Sequence, residues 1–168
     1  MNFGSTQPEL IPGARNAVET CLAIQPGECV TLIADRQSEV VAASLAYAIE
    51  QRGATNEGFL LESLAPRPLG RAPQAILDSL EHADAGILCM QPQEGELGAR
   101  KDIVGVVERR QIRYAHMVGV TPEIMQQGMR ADYTMVDRLS EQLLQRMHTA
   151  RSLTVRTDAG TSLVTRSP

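Results

Sequence analysis

Cys29-Val30-Thr31-Leu32-Ile33-Ala34, followed by Asp35-Arg36-Gln37-Ser38 and then by apolar residues at Val40, Val41, Leu45, Ala48 and Ile49, is the stretch that decides the fold. Its first six residues form a short apolar run, the pattern of a strand buried on both faces. Helical periodicity takes over after Ser38, which stands where an N-cap belongs, and Gly53 ends the helix. A strand that hands over to an amphipathic helix within four residues is half of a βαβ unit.

The same alternation continues in both directions. Upstream, Ala17, Val18, Cys21 and Leu22 predict a helix over Ala14–Ile24, stopped by Pro26-Gly27. Downstream, Thr55–Leu61 is a weaker strand interrupted by Asn56, Glu57 and Gly58, which suits an edge or a bulge. Pro66-Arg67-Pro68-Leu69-Gly70-Arg71-Ala72-Pro73 is a loop, because proline removes donors and fixes φ. Ala75–His82 predicts a helix, Ala85–Met90 a fully buried strand, Gln91–Gly98 a loop at its carboxyl end, and Ile103–Arg110 another helix. Arg113–Gly119 is the fourth strand, and Thr121-Pro122-Glu123 opens a helix with an N-cap and a first-turn proline. Strand and helix alternating in this way predict an α/β fold, a doubly wound, mostly parallel open sheet with helices on both faces. A long amphipathic helix over Thr134–Ala150, with Val136, Leu139, Leu143, Leu144 and Met147, precedes a C-terminal β-hairpin. Its strands are Ser152–Arg156 and Thr161–Thr165, turned at Asp158-Ala159-Gly160, at one edge of the sheet or beyond it. Residues 1–168 read as a single domain.

A chain of 168 residues with net charge −4 is long enough to bury a core without disulfides or a structural metal. Its aromatics are Phe3, Phe59, Tyr47, Tyr114 and Tyr133, with no Trp. An acidic, aromatic-poor surface has neither the stacking platforms nor the basic field of a nucleic-acid binder. No apolar run is long enough to span a membrane, and no secretory signal is visible at the N-terminus. Cys21, Cys29 and Cys89 lie in apolar segments without CxxC spacing and read as reduced core residues, so a cytoplasmic location is expected.

Catalytic signatures are missing where this fold class usually carries them. The turn after the first strand has no glycine for a pyrophosphate, and neither a Walker GKS/GKT nor a GxSxG elbow occurs. His82, His116 and His148 have no metal-ligand spacing, and a pairing of His116-Met117 with Cys89-Met90 is opposed by the alternation of side chains along strands. Glu94 and Glu96 read as a solvated pair in a glycine-containing loop. No cofactor and no metal ligand are therefore expected. Charge is uneven: residues 28–94 hold four basic and ten acidic side chains, and residues 95–151 nine and seven. The cluster Arg109, Arg110 and Arg113 follows from the helix macrodipole, and it also offers a basic patch for acidic groups.

Three segments together resemble a known family: Ala17-Val18-Glu19-Thr20-Cys21-Leu22 through Gln25-Pro26-Gly27-Glu28-Cys29-Val30, Ala42 to Gly53-Ala54, and Ala150 to Thr157 with Gly160-Thr161. A helix, PGE, an aliphatic strand, a helix ending in RGA and a late VRT…GT hairpin are similar to the N-terminal domain of the aminopeptidase T and thermophilic leucyl-aminopeptidase metallopeptidases. The resemblance implies that the two-metal site of those enzymes, built from Glu, His, Tyr and Asp of a C-terminal domain, lies outside these 168 residues. It also implies an acidic residue after the late GT, where Ser162 stands. What it implies instead is a truncated, stand-alone relative that holds a ribosomally made precursor peptide for tailoring enzymes, without catalysis of its own. On that reading the peptide pairs with Thr161, Ser162, Leu163, Val164 and Thr165 as an added strand, Arg109, Arg110 and Arg113 attract its acidic side chains, and the protein is a homodimer. Two other expectations stand beside it. One is a piece of a metallo-aminopeptidase, and the other is a small-molecule site at the carboxyl ends of the parallel strands, near Asp35, Glu62 and Gln91.

Overall fold

The computed structural model describes residues 3–166. By its internal contacts the chain divides into two compact units, Met1–Ala131 and Asp132–Pro168.

The first unit is a four-stranded, fully parallel sheet in the order β2-β1-β3-β4, from β1 (Cys29–Ala34), β2 (Thr55–Leu60), β3 (Ala85–Met90) and β4 (Arg113–Val118). The chain moves outward from β1 to β2, returns across β1 to β3, and continues to β4, so the winding reverses between β1 and β3. Alternation along the strands gives the sheet two apolar faces. Val30, Leu32, Ala34, Ala85, Ile87 and Cys89 join one core with α2 (Glu39–Gln51), α1 (Ile11–Arg15) and α6 (Pro122–Gln126). Ile33, Leu88 and Met90 join the other, against α4 (Gln74–His82) and α5 (Leu97–Arg110). A short α3 (Leu61–Leu64) follows β2 directly, and β2 is an edge strand, as its broken apolar pattern predicts. The expected doubly wound α/β sheet is therefore present, with helices on both faces.

The first helix departs from its predicted form. A 3-10 turn at Pro8–Leu10 leads into α1, which continues as a π-helical turn over Asn16–Cys21. The Leu22 N–H reaches back to the Ala17 carbonyl at 2.9 Å. This wider turn carries five residues where an α-helix carries four. Ala17, Val18 and Leu22 consequently stay buried, and Cys21 is turned out to solvent rather than into the core. Ser38 is also corrected. It occupies the N-cap position of α2, but a 3-10 turn over Arg36–Ser38 brings the chain in early, and its side chain makes no cap hydrogen bond. The carboxylate of Asp35 performs the capping, accepting the Ser38 N–H at 2.8 Å.

The second unit contains α7 (Tyr133–Met147) and a separate antiparallel pair, β5 (Ser152–Arg156) with β6 (Ser162–Arg166). Asp132 caps α7 by accepting the Met135 N–H at 3.0 Å. The hairpin closes over Asp158-Ala159-Gly160, with Gly160 at φ +92° and the Thr157 N–H donating to the Thr161 carbonyl at 3.0 Å, a three-residue loop that needs glycine at its last position. Leu153, Val155 and Leu163 share one face of this hairpin. Among the described residues none from Tyr133 to Arg166 is buried.

In the first unit, α1 crosses α6 at Gly13, where an added Cβ would lie 2.2 Å from the Met125 carbonyl oxygen and 3.2 Å from the Met129 Cβ. Gly13→Ala is expected to cost about 1–3 kcal/mol by overpacking, against a gain of about 1 kcal/mol in helix propensity. Urea unfolding followed by circular dichroism should show a lower midpoint with an unchanged slope.

Candidate functional site

Ligands of open α/β sheets sit beyond the carboxyl ends of the strands where the winding reverses. In this chain those ends are Asp35, just after β1, and Gln91, just after β3. A loop between α3 and α4 reaches over them and inserts Arg67. The Arg67 side chain is 4% exposed, that of Asp35 0% and that of Glu96 1%.

All five guanidinium N–H groups have acceptors. Nε donates to Glu96 Oε1 at 2.7 Å, one terminal nitrogen to Glu96 Oε2 at 2.6 Å and to the Gln91 carbonyl at 2.7 Å, and the other to Asp35 Oδ2 at 2.5 Å and Glu62 Oε1 at 3.5 Å. The carboxylates are equally occupied. Asp35 also accepts the N–H groups of Ser38 and Gln91, both at 2.8 Å. Glu96 also accepts those of Leu69 and Gln93, both at 3.2 Å, and Glu62 accepts that of Arg36 at 3.1 Å. The Gln91 side chain donates to the Val120 carbonyl at 2.6 Å, which ties the segment after β4 to the same cluster.

This geometry sets the titration of its members. Burial alone would raise the Glu96 carboxyl, but the Arg67 guanidinium and two backbone N–H groups outweigh it and hold it below the usual range. Hydrogen bonding to Glu96, ahead of Asp35, holds the proton on Arg67 more firmly than usual. Burial, reinforced by the Asp35 charge, pushes the Cys89 thiol up to about 12. The loop is pinned in place by Gly98 in the first turn of α5, where an added Cβ would lie 2.1 Å from the Gly70 carbonyl oxygen. The reversal point, where related sheets leave a crevice, is thus filled by a cation that the chain supplies itself.

Asp35, Glu62 and Gln91, expected together at the strand ends, do converge. The residue they converge on, Arg67, lies in a segment that reads only as proline-rich coil. The clue available in the sequence is the acidic excess of residues 28–94, which demands a buried cation if any of those carboxylates goes inside. Glu94 and Glu96 do not form a solvated pair: Glu94 is exposed, and Glu96 is drawn inside by Arg67.

The remaining sequence candidates lie elsewhere. Arg109 is ion-paired with Glu81, and Arg110 approaches the same carboxylate at 4.0 Å. Arg113 caps the first helical segment through the Leu22 and Ala23 carbonyls at 3.1 and 2.9 Å and pairs with Glu28 at 2.6 Å, which lowers the Glu28 carboxyl. Thr161 closes the hairpin turn, while Ser162, Leu163, Val164 and Thr165 form most of β6, each exposed. Cys89 and His116 are on different faces of the sheet, Cys89 in the core against α2 and His116 beside α5. Among the described residues no three His, Cys, Asp or Glu side chains gather as metal ligands, and no helix is long and apolar enough to cross a membrane.

No family model matches the sequence, and no curated protein matches it. Among solved structures, 2,5-dihydroxypyridine dioxygenase from Pseudomonas putida KT2440 superposes with a TM-score of 0.57 at 16% identity, covering 94% of this chain and 47% of that one. AmpT, an aminopeptidase T, from Thermus thermophilus superposes with a TM-score of 0.58 at 16% identity, covering 94% of this chain and 53% of that one. The chain spans about half the length of either structure. Similarity at this identity is one of fold, and the aminopeptidase-like fold expected from the sequence is what it shows. One architecture carrying an oxygenase and an aminopeptidase does not name a reaction.

Arg67→Met leaves two buried carboxylates without a counterion, and chemical denaturation at neutral pH should show a loss of about 3–5 kcal/mol. The stability that Glu96 contributes through its lowered pKa is present above the usual glutamate range and disappears as pH falls through the lowered value. The deficit of Arg67→Met relative to the parent should therefore narrow in acid, and a triple variant that adds Asp35→Asn and Glu96→Gln should recover part of it at neutral pH. Iodoacetamide at pH 8, read by mass spectrometry, should label exposed Cys21 in the folded protein and Cys89 only on unfolding.

Proposed function

We infer that this chain is a peptide-binding accessory domain on an aminopeptidase-T-like fold, and that the unit of residues 132–168 is where the peptide docks. The observation that carries this reading is the nakedness of that unit. α7 presents Met135, Val136, Leu139, Leu143, Leu144 and Met147 to solvent, and the hairpin presents Leu153, Val155, Leu163 and Val164. A 15-residue helix and a two-stranded hairpin are each marginal in water without a covered apolar face. A third strand supplied by an extended peptide along β6 completes a sheet, and main-chain hydrogen bonds then give affinity while Leu163 and Val164 give selectivity. In the role the sequence resemblance implies, the peptide is a ribosomally made precursor held for tailoring enzymes, and the α7 stripe pairs with a second copy of the chain. Apolar patches of this extent on soluble domains are usually interaction surfaces.

Half-length coverage of AmpT favours a second reading, in which this domain works with a separate metal-bearing half of an aminopeptidase. A metal-binding domain encoded in continuity with codon 168 would select it over the first.

The test is a synthetic library of extended decapeptides immobilised and probed with the full chain. Binding should concentrate on alternating β-branched sequences and fall at least about tenfold for a Leu163→Asp, Val164→Asp double variant. Equal retention by that variant overturns the assignment to β6. Light scattering should give a mass of twice 18.3 kDa for the parent and 18.3 kDa for Leu139→Glu; a parent monomer overturns the α7 pairing.

A further inference from the structure

Buried polar side-chain atoms without hydrogen-bond partners are rare, and each asks for an explanation. Among the described residues there are two, Arg100 Nε and the Tyr114 hydroxyl. Both belong to the same side of the molecule, where α5 lies against β4. Arg100 also has no ion pair among the described residues, in contrast with Arg67, Arg109 and Arg113.

Arg100 lines an open groove of about 400 Å³ together with Leu97, Lys101, Val104, Glu108 and His116. The groove runs along α5 beside β4, which among the described residues pairs with β3 alone and stands at the edge of the sheet. Gly105 keeps the middle of the groove clear, since an added Cβ there would meet nothing within 4 Å. Tyr114 and His116 stand two residues apart on one face of β4 with ring centroids 5.9 Å apart. Gly86, opposite Tyr114 in β3, makes room for the phenol, because an added Cβ would come within 3.1 Å of the ring. The charge of Arg100 reaches both rings: burial and Arg100 together keep the His116 imidazole below its usual range, while burial holds the Tyr114 phenol above its own.

We propose that this groove is a binding site for a carboxylate-bearing ligand, with the carboxylate on Arg100. Arg100 lines the groove, its planar guanidinium has the donor fork that a carboxylate fits, and among the described residues no protein carboxylate pairs with it. The His116 ring offers a hydrogen-bond donor on the β4 side of the groove, and Lys101 adds positive charge. Leu97, more than half exposed, and Val104 give the apolar part of the ligand a surface to cover. Glu108, two helical turns from Arg100, repels a second carboxylate at that end and so sets the direction in which the ligand lies. The groove is built from residues of the first unit and the hairpin belongs to the second, so the Arg100 variant tests this proposal and the Leu163→Asp, Val164→Asp variant tests the peptide reading.

Two sources could bring the carboxylate, a free small acid or a glutamate side chain of a peptide added along β4, and the experiment separates them. The ¹⁵N-labelled full chain is titrated with glutarate, with the capped pentapeptide Val-Thr-Glu-Val-Thr, and with its glutamine counterpart. Saturable shifts confined to residues 113–118 and the Leu97–Glu108 face are expected from at least one carboxylate ligand. Arg100→Met should weaken binding at least about tenfold, the glutamine peptide should show the same loss, and Arg71→Met, an exposed arginine outside the groove, should bind as the parent does. Tighter binding of the glutamate peptide assigns the source to an added strand, and tighter binding of glutarate assigns it to a small metabolite. Because the Arg100 Nε is buried without a partner, Arg100→Met should also unfold no earlier than the parent on heating. Gly105→Phe, which fills the groove and leaves Arg100 in place, should abolish binding as well. Absence of saturable shifts from both carboxylates at millimolar concentration, or unchanged binding in both Arg100→Met and Gly105→Phe, overturns the proposal.

Discussion

The carboxyl ends of β1 and β3 carry a constraint that the rest of the fold must meet: two carboxylates, Asp35 and Glu96, are inside the protein and cannot remain there alone. A buried unpaired charge costs several kcal/mol, and geometry has to be excellent before a pair repays its desolvation. One guanidinium meets both demands by spending every N–H it has. The consequences run outward from it. The loop of residues 65–73 must lie over the sheet, Gly98 and Gly70 must allow the backbones of α5 and that loop to touch, and Asp35 can then also cap the turn that starts α2. A single buried side chain therefore links the loop, both central strands and helices on both faces of the sheet.

Most of the sheet was legible because its logic is local. Cys29–Ala34 and Ala85–Met90 are apolar throughout and became the two central strands, and the polar interruptions at Asn56, Glu57 and Gly58 correctly marked an edge. Helix entry at Thr121-Pro122 followed its capping rule, with the Thr121 hydroxyl accepting the Ile124 N–H at 3.3 Å. What was not legible depends on partners distant in sequence. Glu96 looks like any loop glutamate until Arg67, 29 residues away, is brought beside it. The π-helical turn at Asn16–Cys21 has no residue signature, since it is selected by the packing of Ala17, Val18 and Leu22 and by the guanidinium of Arg113 that caps its end. The groove on Arg100 was silent for the same reason: an arginine near a helix N-terminus is ordinary, and what distinguishes it is a buried Nε with no hydrogen-bond partner among the described residues.

The two units of the chain solve the problem of apolar surface in opposite ways. Residues 1–131 bury theirs on both sides of a sheet, whereas residues 132–168 keep a regular amphipathic helix and a regular hairpin with nothing buried between Tyr133 and Arg166. Good caps at Asp132 and a well-formed turn at Gly160 make the elements themselves sound. In this unit the local structure is sound while the apolar side chains of α7 and the hairpin stay exposed.

The segment carrying Arg67 is coil by its dihedral angles, yet its opening would expose the charges of the whole cluster at once. Segments of a protein open with free energies set by what their opening uncovers and not by their secondary structure. Hydrogen-exchange protection at Leu69, whose N–H is bound to Glu96, should therefore match the central strands and exceed that of α7. On that expectation a proline-rich loop opens as rarely as the central strands, and a well-capped helix more often.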